Sequence, residues 1–228
     1  MLLAHARETM TRRALLLFAL ALTVIAAPIL SHPALAETPT QPRFETHAAF
    51  FSAEMQLPET LDPQVFAEDA ASPAAIGPQG ISHVAGLRNA YLSDPASTPL
   101  YNAHGHPLHM TLGQWLGAKG IVSLTPQSDG REHVSIELTG LVPNGVYSVF
   151  EVHFDQSPVG FTPLDGSAKR NTFRADGSGH ASLQLDAPAV MTHDNAVLVV
   201  YHADGRSWGM QRGAIGVRAH HQLIARLP

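Results

Sequence analysis

The chain has 228 residues, no cysteine, 14 histidines and a formal charge of −5 at pH 7 with histidine counted as neutral. The absence of cysteine excludes disulfides, thiolate metal sites and thiol catalysis. The modest negative charge gives no electrostatic reason to bind nucleic acid or an anionic membrane, so we expect neither as a partner.

The first 36 residues have the layout of a secretory signal peptide. Arg12 and Arg13 precede an apolar run over residues 14–30, and Ala34 and Ala36 supply small residues for cleavage after Ala36. This run is shorter than the ~20 apolar residues of a membrane anchor, although the arginine pair also fits twin-arginine export. We expect a periplasmic or secreted protein without stable membrane insertion. Cleavage removes three arginines and one glutamate, which changes the formal charge from −5 to −7.

Residues 37–100 are predicted to form an N-terminal arm and linker. Phe44, Ala48, Phe51 and Met55 are spaced by three and four residues, which favours one amphipathic helix over residues 45–57. The stretch "EDAASPAAIGPQG" that follows is rich in alanine, proline and glycine and is typical of a linker.

A second short helix is predicted from Thr111. Thr111 and Gln114 have the spacing of a capping box, in which each side chain accepts from a backbone N–H of the first turn. Met110 and Trp115 occupy the positions of a hydrophobic staple, and Gly120 suits a left-handed helix stop.

Beyond Gly120 the apolar pattern changes to a period of two. Turn signals such as Pro-Asn-Gly and Asp-Gly-Ser-Gly separate segments rich in valine, isoleucine, phenylalanine, tyrosine and leucine. These segments are "IVSLTP", "EHVSIELTGL", "GVYSVFEVHF", "NTFRA", "HASLQLDAP", "NAVLVVYH" and "GAIGVRAHHQLIARL". About seven short strands predict an all-β fold over residues 101–228, an antiparallel Greek-key β-sandwich or flattened barrel, with one or two short helices in the arm.

Four stretches of this region resemble the copper–zinc superoxide dismutases and related Greek-key domains. They are "LTGLVPNGVYSVFEVHFD", "GFTPLDGSAKRNTFRADGSGHASL", "AVLVVYHADGR" and "QRGAIGV", which together cover roughly residues 132–217. The resemblance implies a Greek-key sandwich with copper ligands on two of its strands. His153 and His202 match family copper ligands, and Arg212 resembles the arginine that guides the anionic substrate.

The family pattern is incomplete in this chain. Glu151 stands where the family has the first histidine of its His-x-His pair, and Gly160 stands where it has the bridging histidine. The zinc loop is short and the family's cysteine pair is absent. Within this resemblance, His153 and His202 alone remain of the copper ligand set.

Histidine is the main functional signal, because 12 of the 14 histidines follow residue 36. Imidazole is a good ligand for copper and zinc at neutral pH. His104 and His106 are two residues apart, so an extended segment would direct both rings to one side. His109 could turn back toward them. The loop is therefore either a chelate or a solvated segment ahead of the second helix.

Strand alternation sorts the histidines of the predicted sheet. Glu151 and His153 share one face, and the residues between them form the more apolar face, so we expect this pair to point to a second, more polar surface. A carboxylate and an imidazole there could bind a metal or hydrogen-bond to each other. His220 and His221 are adjacent and must point to opposite faces of a strand.

Three functions follow as hypotheses. The first is binding of copper or zinc, for handling or storage, with ligands drawn from His153, His202, Glu151, His104 and His106. The second is a dismutase-like redox enzyme with a reduced ligand set. The third is a metal-free secreted scaffold or interaction domain. No serine-hydrolase elbow, zinc-protease helix, phosphate loop or dinucleotide fingerprint occurs in the sequence, which favours a binding or scaffold protein over an enzyme.

Overall fold

The computed structural model describes residues 40–228. The predicted signal peptide and its cleavage after Ala36 lie outside the described residues. The described elements, in chain order, are β1 Glu45–Thr46, α1 His47–Glu54, β2 Leu61–Glu68, β3 Ala75–Ile76, β4 Ser82–His83, β5 Leu87–Tyr91, β6 Pro99–Tyr101, β7 Pro107–Thr111, α2 Leu112–Leu116, β8 Lys119–Pro126, β9 Glu132–Thr139, β10 Val146–His153, β11 Gly160–Pro163, β12 Thr172–Arg174, β13 Ala181–Ala187, β14 Asn195–His202 and β15 Ala219–Arg226. Neither helix of this part of the chain has the length and hydropathy needed to cross a membrane.

The fold is an antiparallel β-sandwich. One layer is a six-stranded sheet in the order β1-β15-β14-β10-β11, with β12 also paired to β10. A three-stranded sheet, β13-β9-β8, supplies residues to the same core. The sheets of residues 40–228 do not close into a barrel. Each of the seven strand segments predicted after Gly120 overlaps one of the strands β8, β9, β10, β12, β13, β14 and β15, so the predicted all-β class is confirmed.

The main core lies where strand alternation turns apolar side chains inward from both layers. Tyr147 and Val149 of β10 are fully buried there, as are Val134, Ile136 and Leu138 of β9. Alternate residues of a strand point to opposite faces, so every second position of these strands joins this core. Burial of this apolar area is the largest stabilising contribution to the fold.

The segment predicted as an arm and linker builds structure of its own. Its strands β5, β2 and β6, together with β7, form a four-stranded sheet in the order β5-β2-β6-β7. Val65, Ala67 and Leu100 from this segment are buried in the main core. The predicted boundary between residues 100 and 101 falls inside β6.

Both predicted helices are present, each shorter than the sequence pattern suggested. Helix α1 begins after the cap Thr46, whose hydroxyl accepts from Ala49 N at 3.3 Å. Helix α2 has the predicted capping box between Thr111 and Gln114. It ends at Leu116, and Gly120 lies in β8 rather than at a helix stop, because the chain pairs with β9 from residue 119.

The opposite face of the six-stranded sheet carries a second apolar cluster. We call it the outer face, and it presents Phe150, Val152, Leu198, Val200 and Ile224. Side chains from α1, from the segment around β11 and from the loop 203–218 pack against it. These covering residues are Phe50, Phe154, Phe161 and Ile215. Because the cover comes from helix and loop rather than from a second sheet, it leaves clefts.

Candidate functional site

His153 and His202 lie at opposite ends of the same strand pair. In the antiparallel register of β10 and β14, His153 is opposite Asn195 and His202 is opposite Val146. The two histidines are therefore seven residues apart along the strand direction, which corresponds to roughly 23 Å at about 3.3 Å per residue. One ion cannot bridge them. The expectation that these two imidazoles converge is therefore wrong, because neighbouring strands run in opposite directions.

Glu151 and His153 do lie together. His153 Nδ1 is 3.7 Å from a carboxylate oxygen of Glu151, and its Nε2 is 2.9 Å from the hydroxyl of Thr162. Burial raises the pKa of Glu151, which outweighs the lowering effect of a charged His153. The pair shares the face of Tyr147 and Val149 and lies at the edge of the main core. The predicted assignment of the two faces is therefore reversed, because the main core lies on the side of this pair and the smaller apolar cluster lies on the other side.

His202 is enclosed rather than available as a ligand. Its side chain is 1 % exposed, and its Nε2 is 2.6 Å from the hydroxyl of Ser148. Burial lowers its pKa, so the imidazole is neutral at pH 7. Its Nδ1 has no hydrogen-bond partner among the described residues.

The loop histidines His104, His106 and His109 are exposed. The backbone N–H groups of His104 and His106 donate to Asn102 Oδ1 at 3.0 Å each, so this side chain organises the turn. Both imidazoles line a shallow cleft together with Asp204. Within residues 40–228 no three candidate donor side chains converge on one point. Copper or zinc binding by the predicted ligands stays a prediction.

A different set of polar side chains meets beneath the loops of the outer face. His220 and His221 point to opposite sides of β15, as alternation predicts. His220 packs against Trp115 and Tyr201 on the core side, with ring centroids 6.3 and 6.4 Å away. His221 faces the other way and lies between His47 and the half-buried Arg212 on the outer face.

His47, His221 and Arg212 form a hydrogen-bonded chain. Arg212 Nη1 is 3.1 Å from His221 Nε2, and His221 Nδ1 is 3.3 Å from His47 Nε2. A guanidinium can only donate, so His221 Nε2 must be the acceptor and the proton of this neutral ring is assigned to Nδ1. His221 then donates to His47 Nε2. The proton of His47 is left on Nδ1, which has no partner among the described residues.

Burial keeps both imidazoles of this chain neutral. The pKa of His47 is lowered to about 3, first by burial and then by the positive charge of Arg212. The pKa of His221 lies well below its usual 6.5, again mainly because of burial. Two neutral rings beside a fixed positive charge form an environment that disfavours a bound cation.

Arg212 is the charged group of this region. Its guanidinium carbon lies 3.3 Å above the ring centroid of Phe161. No carboxylate of residues 40–228 forms an ion pair with Arg212. Burial lowers its pKa to about 10, so it remains charged at pH 7. A partly desolvated guanidinium without a counter-ion is costly, because buried charges are normally paired.

Three depressions lie in this region, and Arg212 lines two of them. The arginine cleft has a volume of ≈ 390 Å³ and is lined by Gln79, Ile81, Pro158, Val159, Phe161, Arg212, Ile215 and His221. The loop cleft has a volume of ≈ 320 Å³ and is lined by Phe150, Phe161, Met210, Gln211, Arg212 and Gly213. The inner chamber has a volume of ≈ 200 Å³ and is lined by His47, Phe50, Phe51, Gln79, Val152, Phe154, Val159, Phe161, Leu198, His221 and Ile224. None of these lining residues is acidic.

Neighbouring side chains hold the polar chain in place. Gln64 accepts from His221 N at 2.6 Å and donates to Gln79 Oε1 at 2.8 Å. Gly213 adopts φ +93°, and a Cβ there would lie 2.8 Å from the ring of Trp208. The loop that carries Arg212 therefore depends on a residue without a side chain at position 213.

Sequence reasoning gave Arg212 an anion-attracting role but did not identify its partners. His47 and His221 are 174 residues apart in sequence, so no local motif contains both. One signal was present, since His220 and His221 stand in the middle of a predicted strand whose remaining residues are mostly apolar. Strand alternation predicted that the two side chains point to opposite faces, but it did not predict which side chains each of them contacts.

No protein-family model matches the chain, and no curated protein sequence is similar to it. The resemblance to copper–zinc superoxide dismutases stays a prediction that rests on the four short stretches quoted above.

Proposed function

We propose that this protein binds a small organic anion through Arg212 on the outer face of its six-stranded sheet. The observation that carries the proposal is the partly buried guanidinium, which opens onto two clefts and has no carboxylate partner in residues 40–228. Arginine has five N–H donors, and the contact with His221 uses one nitrogen. The remaining donors can hold a carboxylate in a two-point contact.

The surroundings favour an anion over a metal ion. Arg212 is the only charged side chain lining the three depressions, and it is positive. The nearest imidazole, His221, is already engaged on both of its nitrogens. The stacking of Arg212 on Phe161 fixes the plane of the guanidinium, so less freedom is lost when a ligand binds.

Binding of acetate, benzoate and sulfate, measured by calorimetry, tests the proposal. We expect Arg212→Gln to weaken carboxylate binding by at least about tenfold, because hydrogen bonds to charged groups contribute about 1.5–3 kcal/mol. Arg206→Gln is the matched control, since Arg206 is exposed in the same loop and lines none of the three depressions. Equal affinity of Arg212→Gln and the unaltered protein, or no binding of any probe, would contradict the proposal.

The other hypotheses remain predictions from the sequence. Dialysis against Cu²⁺ and Zn²⁺ with His153→Ala, and separately with His104→Ala and His106→Ala together, tests the metal hypothesis. A dismutase assay of copper-loaded protein tests the redox hypothesis, where activity no greater than that of free copper would reject it.

A further inference from the structure

The arginine cleft and the inner chamber adjoin but differ in chemical character. Gln79, Val159, Phe161 and His221 line both of them, so the two spaces meet at these side chains. Of these two spaces, Arg212 lines the arginine cleft and not the inner chamber. A ligand held at Arg212 therefore has its charged end in the cleft and the chamber directly beyond it.

The inner chamber suits an apolar group. Its wall is formed mainly by aromatic and aliphatic side chains, among them Phe50, Phe154, Leu198 and Ile224. Its polar members are Gln79 and the two neutral imidazoles, His47 and His221, so no charge faces the space. An ionic or strongly hydrated group would lose its water there without compensation.

The volume of the chamber sets the size of that group. A protein cavity of about 150 Å³ lined by aliphatic and aromatic side chains binds one benzene molecule. The chamber measures ≈ 200 Å³, which accommodates one phenyl ring with a short linker.

The charge of the site limits the number of negative charges on the ligand. Arg212 is the single positive charge in the arginine cleft, and the pKa of His221 lies well below its usual 6.5. A monoanion is neutralised by one guanidinium, whereas a phosphate dianion would carry an uncompensated charge into a partly desolvated site.

From these observations, and resting on the proposed function, we infer that the ligand is a small aryl-alkyl monocarboxylate: its carboxylate binds Arg212 and its ring occupies the inner chamber. Val159 lies between the arginine cleft and the inner chamber, because it lines both spaces. Its side chain is 43 % exposed. A bulkier residue at position 159 should close the chamber without disturbing the buried core.

Calorimetric titration of 3-phenylpropionate and acetate tests the inference. We expect 3-phenylpropionate to bind more than about tenfold more tightly, since even one methylene in an apolar pocket changes affinity by about 10- to 200-fold. In Val159→Trp the two carboxylates should bind with similar affinity. Because Val159 also lines the arginine cleft, the ratio of the two affinities, rather than either affinity alone, reports on the chamber. Val190→Trp is the matched control, because Val190 is 42 % exposed and lines none of the three depressions. Thermal unfolding followed by circular dichroism establishes that both variants are folded.

The outcomes separate the two proposals. If both carboxylates bind with equal affinity and both need Arg212, the anion site stands and the assignment of the chamber is wrong. If 3-phenylpropionate is preferred but Val159→Trp keeps that preference, the ring binds elsewhere and the inference is overturned. If neither carboxylate binds, the proposed function itself fails.

Discussion

The two faces of the six-stranded sheet are built from the same strands but differ in what covers them. The inner face of β10 turns Tyr147 and Val149 into the main core, where the three-stranded sheet packs on it. The outer face of the same strand carries Ser148, Phe150 and Val152 and is covered by α1 and two loops. A sheet covered by a sheet fills its space with apolar side chains, whereas a sheet covered by loops leaves clefts in which polar side chains can face a ligand.

Buried polar atoms do not distinguish the two faces. On the inner face the hydroxyl of Tyr147 accepts from Val142 N at 2.8 Å, but His220 Nε2 on the core side has no partner among the described residues. On the outer-face side, His47 Nδ1 and His202 Nδ1 also have no partner among those residues. Unpaired buried donors and acceptors destabilise a fold, so the two faces differ in what covers them rather than in how completely their polar atoms are paired.

The largest expected effect comes from the inner face. Ile136 is fully buried between the layers, and Ile136→Ala should lower the free energy of unfolding by about 2–5 kcal/mol, because it leaves a cavity that the sheets cannot close. Urea unfolding measures this. Carboxylate affinity of the folded variant should not change. A loss below about 1 kcal/mol would mean that the main core is not close-packed.

The pH dependence of stability is expected to come from the histidines buried around β15. The pKa of His47 is lowered to about 3 and that of His220 to about 4, mainly by burial. A histidine with a depressed pKa in the folded state stabilises the fold above its unfolded pKa of about 6.5, and this stabilisation is lost as the pH falls below that value. Asp62 has the opposite effect on stability. Burial raises its pKa to about 6, so the stability that the protonated carboxyl contributes is lost as the pH rises through about 4–6.

His47→Leu isolates one of these contributions. It should make the unfolding free energy less sensitive to pH by about 1.4 kcal/mol per pH unit between about pH 6 and 4, because one proton fewer is taken up on unfolding. Urea unfolding at a series of pH values measures the slope. His193→Leu is the control, since the His193 side chain is 76 % exposed and should leave the slope unchanged. Equal slopes for both variants would show that His47 is not held neutral by burial.

Removing the N-cap of α1 or of α2 allows a direct comparison of the two faces, because α1 packs on the outer face and α2 packs into the main core. Thr46→Ala and Thr111→Ala each remove a hydroxyl that accepts from the first turn, and each should cost about 1 kcal/mol of unfolding free energy. Helix α1 carries His47 and Phe50 of the inner chamber, whereas α2 packs into the main core. We therefore expect Thr46→Ala alone to weaken 3-phenylpropionate binding. The faces would not be functionally distinct if both variants weakened binding equally.

The smallest effect is expected at the rim of the outer face. Arg226 contacts Glu54 at 3.0 Å and lies over the ring of Phe154 at 4.8 Å, but both charged side chains are largely exposed. Exposed ion pairs contribute little, so Arg226→Gln should cost no more than about 1 kcal/mol of unfolding free energy and should not change carboxylate affinity. A loss above about 2 kcal/mol would show that this contact, rather than burial, fixes α1 on the sheet.

Much of the fold could be predicted because its signals are local. Alternating apolar residues separated by glycine and asparagine turns identified β9, β10 and β14 nearly to their ends. Thr111 and Gln114 are three residues apart and define the start of α2 through their own hydrogen bonds. The strands of residues 61–101 were missed. In β2, for example, Pro63 stands between the polar residues Asp62 and Gln64 and masks the period of the strand.

The candidate site depended on contacts that no local pattern contains. His153 and His202 were paired through a resemblance, and the antiparallel register separated them. Phe161 lies in the short strand β11, which the sequence pattern did not predict. Arg212 comes from the loop 203–218, where neither periodicity nor turn chemistry fixes the direction of a side chain. What the sequence determined by itself is most of the strands after Gly120 and which side chains of a strand share a face, because both follow from backbone geometry within a few residues. Only the tertiary structure decided which polar groups meet, because His47, Arg212 and His221 become neighbours through the packing of α1 and the loop 203–218 on the sheet.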